Sequence, residues 1–294
     1  MTREYIKMIS IYSDLIISES VRSWNDIDFK QTEPNIIKEY LLASGKGVDY
    51  LNQNISKVIT KETEYEMKFA SVFCHKKPTI TRTENSKSQC QGNTPSCELG
   101  DLMTIFLLLD RDKNISFSSA KIMQAKKYDI LNSESQKCLY ESDRDFEMPK
   151  NVLSKSTCVD KLRILPDYSE NRNLGLSYLI LNSGHPFNKE IPYNSNLHYS
   201  WGHHLQLTME LKTGKKFEIP SDSNDNGWNC IINDLLNVGS GAIKSSTERG
   251  YGIKELINAF NYYYYYPEYW RENEEAGIPK LLIICRDTER KIKK

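Results

Sequence analysis

The chain has no apolar run approaching the ~20 residues that a membrane-spanning helix needs. Its opening residues, Met1-Thr2-Arg3-Glu4-Tyr5, lack the basic and apolar regions of a secretory signal. Neither charge is in excess, since Lys+Arg and Asp+Glu both total 39. Zero net charge removes any global electrostatic argument for nucleic acid and leaves local patches to consider. Also missing is a close Cys-x-x-Cys pair, which most structural zinc sites show. Cys74-His75, Cys90 and Cys97 therefore read as buried or loop residues rather than a zinc centre. The seven cysteines are odd in number. Without a signal segment they point to free thiols in a reducing cytoplasm. There is no repeat and no long linker, so the 294 residues read as one elaborated α/β domain.

What is present is organised by hydrophobic period. Ile36, Ile37, Tyr40 and Leu41 recur at helical spacing over 35–42, with Gly45 and Gly47 as punctuation. Leu51, Ile55, Val58 and Ile59 form a second stripe over 50–60. From Tyr65 the period changes to two, which predicts a strand ending near Pro78. Residues 85–96 are polar and read as a loop. Leu102 to Leu109 is a continuous apolar run, as in a strand covered on both faces. A turn at 110–114 leads into a long second strand, 115–127. Further on, the pattern predicts a helix over 133–140, a buried strand over 174–181 and a turn at His185-Pro186. It also predicts a hairpin from 205–211 and 216–219 around Thr213-Gly214. Helices over 228–238 and 253–265 and a last strand over 280–285 follow.

The 102–127 hairpin carries the most chemical information. With its turn centred between Asp112 and Lys113, Asp101 lies opposite Gln124. Side chains two apart share a strand face, so Lys126 joins Gln124. A bulge within Ser116-Phe117-Ser118-Ser119 would shift the register. The order acidic residue, hairpin, polar-x-Lys, in Glu98-Leu99-Gly100-Asp101-Leu102 and Met123-Gln124-Ala125-Lys126-Lys127, resembles the metal-binding core of the PD-(D/E)XK nuclease superfamily. The resemblance covers roughly residues 50–140. It implies a restriction-endonuclease-like core, a central mixed sheet flanked by helices, over about 50–185. A C-terminal elaboration over about 186–294 follows.

By this resemblance the chain hydrolyses phosphodiester bonds with Mg²⁺, or Mn²⁺ in its place. Asp101 supplies a carboxylate and Lys126 a cation near the developing charge. Gln124 departs from the acid that many members carry and offers a neutral carbonyl oxygen. A further acid is then expected, commonly from a helix before the first core strand. Glu62 is the first choice there and Glu64 its neighbour. Glu98 is the other candidate, if Gly100 kinks the chain enough to bring it round. Within the superfamily the two segments resemble prokaryotic antiviral defence effectors. That implies a DNA endonuclease working with a helicase, ATPase or sensor protein. A degenerate fold that only binds, an RNA-cutting toxin and a sequence-specific restriction enzyme are the alternatives.

Other groups are weaker. His75, Lys76 and Lys77 end the strand from Tyr65 and suit phosphate contacts, as does Lys127. Lys121 and Lys137 would add charge nearby. His203 and His204 are adjacent and point apart, so they make a poor chelate. Tyr262 to Tyr266, Tyr269 and Trp270 suit core packing with a partner or homodimer interface first, and base stacking second.

Overall fold

A computed structural model describes residues 2–76, 78–83, 96–131, 133–142, 144–153, 156, 158, 160–167, 174–218, 226–239 and 272–288. Helices come first: α1 (Thr2–Ile11), α2 (Ser13–Arg22), α3 (Glu33–Leu42) and α4 (Gly47–Leu51). A π-helical turn, Asn52–Ser56, joins α4 to α5 (Lys57–Glu62). The strands β1 (Tyr65–Lys76), β2 (Thr79–Arg82), β3 (Ser96–Glu98), β4 (Leu102–Leu109) and β5 (Ile115–Lys127) follow. Then come α6 (Glu134–Glu141), β6 (Asp145–Glu147), α7 (Lys150–Leu153), β7 (Leu162–Ile164), β8 (Leu176–Leu181) and β9 (Phe187–Lys189). The last elements are β10 (His198–Ser200), α8 (Trp201–Met209), β11 (Lys215–Lys216), α9 (Trp228–Gly239), β12 (Glu272–Ala276) and β13 (Lys280–Asp287).

The architecture is α/β, with a mixed central sheet flanked by helices. Its order is β10-β9-β8-β5-β4-β13-β1-β12, with β11 added on β5. β13 runs parallel to β4 and antiparallel to β1. The last strand therefore lies between the first strand and the hairpin. A small second sheet, β3-β2-β6-β7, lies to one side.

Two cores form because the sheet is covered on both faces. Even-numbered Leu102, Phe106 and Leu108 pack with Met123 and Ala125 against the N-terminal helices and α8. Odd-numbered Met103, Ile105 and Leu107 pack with Ile122 against α6 and α9. Every residue of β4 is buried, which accounts for its unbroken apolar sequence. Each such side chain contributes about 1.5–3 kcal/mol of burial.

The hairpin register is the one derived from the sequence: Leu102 pairs with Met123 and Thr104 with Lys121. It shifts at one point. Leu108 pairs with Phe117 but Leu109 pairs with Ile115, leaving Ser116 as the extra residue. The Ser116 hydroxyl donates to the Leu108 carbonyl at 2.9 Å.

Three expectations need correction. Residues 205–211 are not a strand: Trp201 to Met209 is a helix whose N-cap, Ser200, accepts from the His203 amide. Cys138 and Cys158 are not free thiols: both are disulfide-bonded, Cys158 to Cys230, which ties α9 to the segment between α7 and β7, whereas Cys74, Cys97 and Cys285 are buried thiols. Lys121 is not a surface cation. It is 1% exposed and held by Glu190, as described below. The expected helix over 253–265, the tyrosines at 262–266 and most of the 85–96 loop lie outside the described residues.

Candidate active site at the start of β4

β5 runs past the point where β4 begins, and this mismatch makes the site. Residue Met123 still meets β4, its carbonyl accepting from the Asp101 amide at 2.8 Å. Ala125 and Lys127 turn their N–H groups to the same side, but no strand is there to receive them. Carboxylates substitute for it. Asp101 Oδ2 accepts from the Ala125 amide at 2.7 Å, and Glu33 Oε1 from the Lys127 amide at 2.7 Å. Amides two residues apart on a strand are roughly 7 Å apart, so the two acids flank one short stretch of backbone.

Asp101 is only 3% exposed, yet it lines a pocket of about 180 Å³. Glu98 lines it too, with Pro34, Ile37, Phe73, Cys74 and Pro279. The chain between the two acids passes through Gly100, where a Cβ would stand 2.5 Å from the Ile122 side chain. A larger residue there would force the Ile122 side chain to shift. Of the sequence candidates for a second acid, Glu98 is therefore the one that shares a pocket with Asp101.

Glu62 and Glu64 are elsewhere. They precede Tyr65, which pairs with Asp287, and the neighbouring Arg286 pairs with Leu109 at the far end of β4. That end is about 25 Å along the strand from Asp101. Glu62 accepts from the Tyr12 hydroxyl there at 3.3 Å. The acid that a helix before β1 does bring to the Asp101 end is Glu33. Its signal was Thr32-Glu33-Pro34, a helix start with Pro in the first turn.

Gln124, one residue beyond Met123, the last residue of β5 paired with β4, is fully buried. Its Nε2 donates to the Glu98 carbonyl at 2.9 Å, while Oε1 has no hydrogen-bond partner. Flipping the amide would set its oxygen against that carbonyl, so this orientation follows from the network. Tyr140 on α6 joins this network, its hydroxyl donating to the Leu99 carbonyl at 2.9 Å. Burial, and next the charge of Asp101, push that hydroxyl's pKa well above its ordinary value.

Lys126 extends toward α6, and its Nζ donates to Gln136 Oε1 at 2.7 Å. Lys127 is spent on the loop before α3, its Nζ donating to the Gln31 carbonyl at 2.9 Å. Strand β1 continues through His75 and Lys76 just beyond Cys74, at the same end of the sheet. Lys77 lies outside the described residues.

For a hard divalent cation the donor chemistry is partly right. Asp101, Glu98 and the orphaned Gln124 oxygen are all oxygen donors. Among the described residues, no three His, Cys, Asp or Glu side chains stand together as a ready metal cluster. His203 is exposed and bonded to Ser200, while His204 is buried against Thr104, so the histidine pair is not a chelate. No family model, curated protein or solved structure matches the chain.

Proposed function

We propose that the chain is a metal-dependent nuclease on a restriction-endonuclease-like core. Its polymer is DNA, and it serves as an effector of prokaryotic antiviral defence beside a helicase, ATPase or sensor protein. The Gln124 oxygen carries this reading. A buried acceptor without a donor costs about 1–3 kcal/mol, and this one precedes Ala125, whose amide donates to Asp101. A cation held by Asp101, Gln124 and Glu98, with waters completing its shell, would satisfy that oxygen. When bound, Mg²⁺ or Mn²⁺ would polarise a phosphate and acidify a water. Asp101 fixes the start of β4 against β5, and Lys126 brings a positive charge to the same strand end. The Glu-Leu-Gly-Asp-Leu and Met-Gln-Ala-Lys-Lys segments support the choice of a defence nuclease by resemblance.

The test is cleavage of plasmid, single-stranded DNA and total RNA with Mg²⁺ or Mn²⁺, by the wild type and by Asp101→Ala and Lys126→Ala. Loss in both variants is expected, and retained cleavage in both removes this site. A second reading, a degenerate fold that grips nucleic acid or a partner, is favoured by one observation. Asp101 Oδ2 already serves the Ala125 amide. Calorimetric titration with Mn²⁺ separates the two, since the binding-only reading gives no heat that depends on Asp101.

A further inference from the structure

β5 ends in a turn that the nuclease reading does not use. Five large hydrophobic side chains are exposed among the described residues, and two of them, Tyr128 at 65% and Ile130 at 53%, stand on either side of Asp129. A third, Leu197, precedes His198, the strand partner of Lys189. Lys189 Nζ in turn donates to both Asp129 oxygens, at 2.9 and 3.0 Å, and the Tyr193 hydroxyl donates to one of them at 2.6 Å. Tyr128 and Asp129 both have left-handed backbone, φ 60° and 51°. Residues with a β-carbon rarely adopt it, so the contacts on Asp129 enforce a turn that holds an apolar side chain in water on each side. Apolar groups gathered at a surface in this way mark a contact site.

The position of the turn decides what it contacts. The Cα of Tyr128 is at most about 11 Å from that of Ala125, whose amide donates to Asp101. The surface between the two is continuous. Glu33 accepts from the Lys127 amide, and the next residue, Pro34, lines the Asp101 pocket. Lys127 Nζ lies 5.1 Å from the centroid of the Tyr128 ring. The side chain stays largely accessible beside this cation, so a flat partner can lie against it. An aromatic ring with a cation next to it suits a polymer that carries a π-face on each unit and a negative charge on its backbone. Ile130 has the branched apolar shape that wedges between bases.

We infer that Tyr128 stacks on an unpaired base of the nucleic-acid strand whose backbone reaches Asp101, with Ile130 as the apolar neighbour that keeps this base apart from the next. The inference rests on the nuclease reading for its strand, and it assigns the substrate class: nucleic acid with an unstacked base beside the cut. Base–aromatic stacking is sequence-tolerant, so the turn selects strand state rather than sequence.

The experiment measures, by fluorescence anisotropy, how the full chain binds a labelled single-stranded oligonucleotide, with EDTA present so that nothing is cut. A second set of oligonucleotides carries one abasic position, walked along the strand. Tyr128→Ala should weaken binding about five- to 100-fold, the loss of one base–aromatic stack, while Tyr128→Phe keeps the ring and the wild-type affinity. At one position the abasic site should weaken the wild type by a similar factor and leave Tyr128→Ala unaffected. Ile130→Ser should weaken binding by a smaller factor. Both residues are exposed, so the urea midpoint of every variant should match the wild type. If Tyr128→Ala binds like the wild type, or each abasic position costs the two proteins equally, the base contact is overturned and a protein partner is left as the occupant of the turn. Absence of any binding overturns it as well. The cleavage assay on Asp101→Ala stands apart. Tyr128-dependent binding by a chain that cuts nothing sinks the nuclease reading and leaves the base contact. Asp101-dependent cleavage with binding indifferent to Tyr128 does the reverse.

Discussion

Thr104 and Lys121 face each other on the β4–β5 hairpin, three residues along each strand from Asp101 and Gln124, yet the two settings are completed differently. Lys121 Nζ donates to Glu190 at 2.8 Å, to the Tyr199 hydroxyl at 3.1 Å and to Thr213 at 3.3 Å. Asn188 donates to the Tyr199 hydroxyl at 2.9 Å and accepts from Ser177 at 2.8 Å. Burial lowers the Lys121 pKa, but Tyr199 and Glu190 outweigh it and leave the pKa raised. All three ammonium donors are used. At the strand end, Gln124 keeps an oxygen without a donor and Asp101 faces a pocket. The difference separates two kinds of buried polar group: one completed within the fold, the other left with capacity for something from outside.

The largest expected effect breaks the unsaturated setting. Asp101→Asn should remove metal-dependent cleavage to background, while an amide oxygen still accepts from Ala125. Its unfolding free energy should change by only about 1 kcal/mol in urea. Lys121→Ala should do the opposite. Removing one partner of a buried pair costs about 3–5 kcal/mol. The lower end applies here because Glu190 is 22% exposed. Urea denaturation measures that loss, and nucleic-acid binding per folded molecule should be unaltered. Gly100→Ala tests the link between Glu98 and Asp101. The added methyl meets Ile122 at 2.5 Å. Overpacking of this kind costs about 1–3 kcal/mol, read as a lowered urea midpoint.

The smallest effect concerns pH. His204, beside Thr104 at 3.3 Å, has its pKa held well below 6.5, first by burial and then by the charge of Lys121. The unfolded chain takes up the proton first. This contribution is complete above an unfolded value of about 6.5 and is lost as pH falls toward the folded pKa. Stability measured between neutral pH and about 5 should therefore decline, and His204→Gln should flatten that slope. An unchanged slope would mean that His204 binds its proton equally well in the folded and the unfolded chain.

The hairpin was legible because its information is local. An unbroken apolar run, a polar turn and a fixed register set Leu102 opposite Met123 and Thr104 opposite Lys121 with no distant contact needed; the ladder stops one residue short of Asp101, whose amide meets the Met123 carbonyl. The Ser116 bulge was legible for the same reason. Glu33 was not, because it joins the site through a loop before α3 whose docking on Lys127 leaves no periodic trace. Glu62 was chosen by sequence order, and order does not say which end of a strand a helix meets. The segment 205–211 was misjudged as a strand because α8 is buried on nearly every side and shows no polar face. The Tyr128 turn depends on Lys189 and Tyr193 far along the chain, a combination that only the fold assembles.

The place of β13 has a consequence for how the molecule comes into being. β1 and β4 are not hydrogen-bonded neighbours; both pair with a strand that leaves the ribosome about 170 residues after β4. Until residues 280–287 arrive, β1 and the hairpin with Asp101 each keep an unpaired strand edge, although the N-terminal helices already pack on the hairpin's apolar face. Long-range pairing of this kind is slow and leaves such edges exposed. Phe73 and Cys74, which wall the Asp101 pocket, come from β1, and Asp101 itself from the hairpin. Synthesis order thus acts as a timer: the pocket, which Pro279 also lines, is completed only by residues made long after Asp101.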